Sequence, residues 1–348
     1  MPVYALGSNE HGQVDPHALL LFAEPQRLGN CSGILAASWS QVIVRETNGD
    51  LRIRGLPLET PLPDFSRVKT WLGQEEFLAV LLYDGRIRRL EDGATTETKY
   101  SLASMNSRGE LLVVPAFFDP SRPAGPTSTK FELPFYPSTS PSPEHISSIS
   151  SGASNFIVLA FPSSRLFSLG DNRYGQLGVP QTNVHSSEGT KLHRVEAFDG
   201  LRIAEVSTGA FHSAVLTESG ECYFFGSDQQ GQCGGTEGGW EPTINDTLET
   251  EYDGDEANGV EESMSDIMQV CAFGESTVLR TRAGQIWVAG ANHSGQLGFE
   301  PTKESLTTFT KHLAFGADYG TTKSIRKVAG ILCSRLTVYL DVEESATG

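Results

Sequence analysis

The chain has no membrane-spanning run: nowhere do roughly 18 apolar residues follow one another. Helical periodicity is missing too, since no window reads as a long amphipathic helix. Basic residues are scarce, with 26 Lys and Arg against 43 Asp and Glu and a formal net charge of −17. Such a field repels phosphate backbones. It argues against general nucleic-acid binding and favours a basic or metal-bearing partner protein. The five cysteines, Cys31, Cys222, Cys233, Cys271 and Cys333, form no Cys-x-x-Cys pair. A disulfide framework and a structural zinc site are therefore not expected. Free cysteines in strands are ordinarily small buried hydrophobes, and they suggest a reducing compartment, the cytoplasm, with the nucleus as a second location. The opening Met-Pro-Val-Tyr has no basic region followed by an apolar stretch, so no secretory signal is expected.

The motifs of catalysis are also missing. There is no Gly-x-Ser-x-Gly and no His-x-x-x-His pair, and no Lys-Ser or Lys-Thr follows a glycine phrase. We expect no enzyme, no cofactor and no metal site.

What is present is a repeat. Leu166-Phe-Ser-Leu-Gly-Asp-Asn-Arg-Tyr-Gly-Gln-Leu-Gly178 recurs as Cys222-Tyr-Phe-Phe-Gly-Ser-Asp-Gln-Gln-Gly-Gln-Cys-Gly234 and as Ile286-Trp-Val-Ala-Gly-Ala-Asn-His-Ser-Gly-Gln-Leu-Gly298. Val3-Tyr-Ala-Leu-Gly-Ser-Asn-Glu-His-Gly-Gln-Val14 begins the chain inside the same unit. Taking Gly7, Gly170, Gly226 and Gly290 as anchors, the later steps are about 60 residues and the first is about three such units. Each anchor follows two short apolar runs split by a Gly turn, the pattern of antiparallel hairpins. The glycines of the phrase answer backbone needs, and its Asn and Asp side chains are expected to bond the turn itself.

Hairpin units fall at 36–55, 68–92, 97–115, 146–170, 203–226, 267–290 and 325–342. The last has strands but no anchor phrase, while the amino terminus has the phrase but no strands before it. Joining the two closes a ring and removes exposed edges. The expected fold is all-β, a single domain over 1–348: a seven-bladed β-propeller closed by the Val3–Gly7 strand, with six or eight blades as the alternatives. Two insertions break the repeat. Residues 119–144 carry seven Pro and five Ser, and 245–266 carry nine acids with no Lys or Arg.

In such a ring the loops leading from each first strand to the second converge around a central channel. Aligned hairpins put Trp39, Glu75, Glu76, Asn155, Phe211, His212 and Glu275 in five of these slots, with a sixth near Leu332 and Cys333. A mixture of Trp, Phe, His and Glu suits a protein interface. Packing of Trp39 and Phe211 between blades is the alternative.

The phrases Gly-x-Asn-x-x-Gly-Gln-Leu-Gly and Gly-x-x-His-Ser-x-x-Leu-Thr-x-x-Gly resemble the repeat of the regulator of chromosome condensation family. The resemblance is strong at 3–14 and 146–298 and weak at 36–115. The short chain, its immediate start on the anchor phrase and its eroded early units look like the branch of fungal α-tubulin suppressor propellers, those associated with Elongator and diphthamide synthesis. That resemblance implies a non-catalytic partner, in a heterodimer, of a small CSL-type zinc/iron protein. The small protein serves diphthamide synthesis and Elongator-dependent tRNA wobble-uridine modification. The alternative that the family implies is guanine-nucleotide exchange on a Ran-like small GTPase. Neither reading involves direct nucleic-acid or membrane binding.

Overall fold

The computed structural model describes residues 1–15, 21–58, 62–116, 130–132, 145–180, 191–235, 238–244, 266–312, 314–315 and 326–344. The chain opens with β1 (Val3–Ser8) and β2 (Leu21–Arg27). Two three-stranded meanders follow. The first is β3 (Cys31–Ala37), β4 (Gln41–Glu46) and β5 (Leu51–Gly55), and the second is β6 (Val68–Leu72), β7 (Ala79–Leu82) and β8 (Ile87–Arg89). The next hairpin is β9 (Tyr100–Met105) and β10 (Leu111–Pro115), with β11 (Lys130–Glu132) beside β10.

Three four-stranded meanders come next. They are β12 (His145–Ser151), β13 (Asn155–Phe161), β14 (Leu166–Gly170) and β15 (His193–Arg194); then β16 (Ile203–Thr208), β17 (His212–Thr217), β18 (Cys222–Gly226) and β19 (Gly239–Ile244); then β20 (Ile267–Phe273), β21 (Ser276–Thr281), β22 (Ile286–Ala291) and β23 (Ser305–Lys311). The hairpin β24 (Arg326–Ser334) and β25 (Thr337–Glu344) completes the set.

Closure occurs as the half-units demand. β1 pairs antiparallel with β25, with Val3 opposite Asp341, Ala5 opposite Tyr339 and Gly7 opposite Thr337. The closing sheet runs β2-β1-β25-β24, so chain start and chain end share hydrogen bonds. The expected seven equivalent blades are corrected to six. Six sheets are antiparallel throughout, whereas the β9–β10 hairpin takes its third strand in parallel, Leu112 lying opposite Phe131. The physical reason is the source of that strand: it comes from within the 119–144 insertion and enters the sheet from outside the repeat. The rest of that insertion, and 245–266 apart from Asp266, lie outside the described residues.

The core lies between sheets. Middle strands such as β17 and β22 are buried along their whole length because another sheet covers each face. Leu216 and Phe224 pack on Trp287 and Phe309 of the next blade, and Leu112 and Val114 pack on Phe156 and Val158. Tyr4 and Leu6 join Val278, Val288, Val338 and Leu340 where the ring closes. The first strands of successive sheets stand side by side around the central channel.

Candidate partner-binding face

On one face, the turns from each first strand to the second surround a cavity of about 750 Å³ lined from every sheet. The anchor phrases reach the same face, and their side chains explain why the loops hold shape. Asn172 accepts the Leu177 N–H at 2.9 Å and donates to the Val179 carbonyl at 2.9 Å. Asn9 and Asn292 do the same for Val14 and Leu297, and Asp228 accepts from Cys233. The buried Gln13, Gln176, Gln232 and Gln296 each accept the N–H two residues earlier.

Gly226 shows why the anchor is glycine. Its φ is +110°, and a Cβ there would stand 2.5 Å from the Phe211 carbonyl oxygen. The phrase is thus a folded turn that ties each blade to the next. Ser213 donates to the Gln176 carbonyl and Thr277 to that of Gln232.

The sequence-derived candidates divide by environment. Glu75, Phe211 and Glu275 line the cavity. Glu76 is exposed beside Glu75. Trp39 is half-buried at the rim, its ring edge-on to His11 with centroids 4.9 Å apart. Asn155 and His212 are fully buried and do not reach the cavity. They occupy equivalent positions at the starts of β13 and β17, where alternation turns the side chain into the blade interface. His212 Nε2 lies 2.9 Å from Thr277 Oγ1, which itself donates to Gln232 O, so Nε2 carries the proton. Burial pushes the His212 pKa down to about 3, and the ring is neutral. The slot near Leu332 and Cys333 is also corrected. It falls at Arg335 and Leu336, since the hairpin closes where Ser334 pairs with Thr337.

Arg335 is the residue that sequence reasoning missed. Its Nη1 donates to both carboxylate oxygens of Glu75 at 3.0 Å, and its guanidinium lies 5.5 Å from the centre of the Trp39 ring. One arginine of the closing sheet thus reaches across the first blade to the second. Exposure limits the worth of this ion pair to about 0.2–1 kcal/mol. Its effect is to fix where charge and aromatic surface sit. Gln74 is a second missed residue. It accepts from Ser107 Oγ at 2.6 Å and donates to Ser151 Oγ at 3.0 Å, joining two further sheets.

On the opposite rim Phe211 packs on Tyr174, with centroids 5.1 Å apart, beside Arg173. Arg173 Nε donates to Asp171 at 2.8 Å. Burial would raise the Asp171 pKa, but the hydrogen bonds and charge of Arg173, with Arg108 behind, hold it below its ordinary value. The mouth therefore offers two arginine–aromatic–carboxylate clusters, one on each side of the channel.

Comparison with known proteins agrees with the repeat. A profile described as the regulator of chromosome condensation (RCC1) repeat matches residues 163–216, and a second of the same description matches 203–232. The X-linked retinitis pigmentosa GTPase regulator homolog of Caenorhabditis elegans is 30% identical over 162 residues, 47% of this chain and 10% of that protein. Mouse RCC1 domain-containing protein 1 is 25% identical over 334 residues, covering 82% of this chain and 83% of that one. Among solved structures, Prp20p from Saccharomyces cerevisiae, described with its binding to Gsp1p and histones, superposes with a TM-score of 0.69. That superposition spans 99% of this chain and 92% of that one at 13% identity, a likeness of fold. The chain folds as an all-β propeller, and residues 163–232 of it match the regulator of chromosome condensation (RCC1) repeat.

Proposed function

We propose that this chain is a non-catalytic protein-recognition module that seats a small partner protein on the channel-mouth face. One observation carries the reading: two half-exposed clusters, Trp39–Arg335–Glu75 and Tyr174–Phe211–Arg173, face each other across a wide cavity of mixed lining. Trp, Tyr and Arg held by packing are the residue types that dominate protein interfaces. Residues 1–348 act as one domain in this reading, with 119–144 and 245–266 as insertions, and the protein works in the cytoplasm, with the nucleus as a second location.

The proposed partner is a small CSL-type zinc/iron protein, held as a heterodimer and regulated in diphthamide synthesis and Elongator-dependent tRNA modification. Its support is the likeness of the repeat pattern to the fungal propellers of those pathways. A second reading, nucleotide exchange on a Ran-like small GTPase, is favoured by the relatives: one is named a GTPase regulator homolog and another is described with binding to Gsp1p.

Affinity purification of the full chain at low salt, followed by mass spectrometry, tests both readings. Recovery of a CSL-type protein, lost on R335E or F211A, supports the first. Recovery of a small GTPase whose bound nucleotide is released faster by the propeller replaces the first with the second. Binding untouched by either substitution removes the channel-mouth face from consideration.

A further inference from the structure

The first strands around the channel repeat one side-chain contact. Ser104 on β9 donates to Ser151 on β12 at 3.0 Å. One step on, Ser150 on β12 meets Thr208 on β16 at 2.7 Å. At the next step alanine replaces the second hydroxyl, and Ser207 accepts the N–H of Ala272 at 2.9 Å. The step after that pairs β20 with β24. Gln269 grips the Ile331 N–H at 3.1 Å and its carbonyl at 2.8 Å, as Glu205 takes the Val270 N–H two residues before Ser207 meets Ala272. Two residues beyond Gln269 and Ile331 are Cys271 and Cys333. They occupy the contact that hydroxyl pairs fill elsewhere in the ring. Both thiols are free, and both line the cavity.

Side-chain heteroatoms that meet at hydrogen-bond distance in the equivalent pairs imply Cβ atoms near the separation of about 3.5–4.5 Å that a disulfide spans. We propose that Cys271 and Cys333 form a dithiol oxidation site in the channel wall, which takes low-molecular-weight disulfides such as glutathione disulfide and closes an intramolecular bond between β20 and β24. One thiolate attacks a sulfur of the reagent, which breaks its S–S bond, releases one glutathione and leaves a mixed disulfide. The second thiolate attacks the protein sulfur of that mixed bond and releases the other glutathione. Two protein thiols are oxidised, one disulfide is reduced, and the two thiol protons leave with the products. Burial, together with the adjacent Cys271, holds the Cys333 thiol well above its ordinary pKa, so the reaction accelerates as pH rises. The bond would lie two residues from Arg335 and would stiffen the wall of the mouth. The inference rests on ring geometry and is independent of the partner's identity.

The test incubates the purified full chain with glutathione disulfide at mildly alkaline pH, quenches in acid, alkylates and digests without reduction. The expected result is loss of two alkylatable thiols, a peptide pair joining 271 to 333, and reversal by dithiothreitol. The oxidised chain melts a few degrees higher, by roughly the margin that a constrained loop gives. Cys271→Ser and Cys333→Ala each abolish the cross-link and the melting shift. They install the residues that the neighbouring step carries at Ser207 and Ala272, so the fold tolerates them. Retention of all five thiols, a link between Cys222 and Cys233, or reaction that stops at a glutathione adduct overturns the proposal.

Discussion

Truncating Leu6 tests whether β1 is the strand that closes the ring. Leu6 is 1% exposed and packs with Val278 and Val288 of one blade and with Val338 and Leu340 of the closing sheet. Leu6→Ala removes the side chain from a space walled by two sheets, neither of which can collapse inward without breaking its own ladder. Such truncations cost about 2–5 kcal/mol, and we expect about 3 kcal/mol here. For a domain of this size that is a fall of about 4 °C in the midpoint. Tryptophan fluorescence is a suitable probe, because Trp71, Trp240 and Trp287 lie in sheets other than that of β1 and Trp39 lies in the turn between β3 and β4. A closed ring loses stability as a unit, so the fluorescence transition stays single and shifts with the circular dichroism signal. Leu78→Ala, at a site 43% exposed, is the control and stays within about 0.5 kcal/mol. A Leu6→Ala shift as small as the control's, or an early transition seen by circular dichroism alone, would refute closure.

Four further outcomes are expected. His212 and His312 are buried with pKa values pushed down to about 3 and about 4, so both are neutral when folded and take up protons on unfolding. Stability is complete above the unfolded value near 6.5 and falls below it, by about 2 kcal/mol for each ring at pH 5; His212→Gln should flatten the urea midpoint–pH curve by about half. Gly290→Ala places a Cβ 2.3 Å from the Glu275 carbonyl oxygen at φ +103°, and calorimetry should register a loss of about 3 kcal/mol. Gln74→Ala leaves Ser107 and Ser151 without their shared partner, for a loss of about 1–3 kcal/mol in denaturant unfolding. Arg335→Glu sets two carboxylates face to face at the mouth; unfolding should change by less than about 1 kcal/mol while affinity for the partner falls at least about tenfold by calorimetric titration.

The anchor phrases were legible in the sequence because their physics is local. Asn172, Gln176 and their counterparts bond atoms within a few residues, so each phrase reads the same whatever surrounds it. Closure was legible because strands were missing at one end and an anchor phrase at the other. Phe211 and Glu75 were found by alignment, since each lies in the turn from first strand to second, although that turn spans 209–211 in one blade and 73–78 in the other. Asn155 and His212 came from the same alignment and turned inward, because a slot in a turn does not specify the direction of its side chain. The slot placed near Leu332 moved to Arg335 because no anchor phrase follows this hairpin to fix its alignment, and only the pairing of Ser334 with Thr337 locates the turn. The parallel strand at Lys130–Glu132 was illegible for a related reason: it lies in a Pro-rich stretch outside the repeat.

By itself the sequence determined the hairpins, the glycine corners, the self-bonded turns and the need to join the two ends, all set by neighbours close along the chain. The tertiary structure alone decided which side chains face the channel. Glu75 and Arg335 are 260 positions apart. Only when the closing sheet is seated beside the first blade does an arginine of the last turn come within reach of a glutamate of the second blade. Their contact is a property of the ring, and no stretch of the chain encodes it alone.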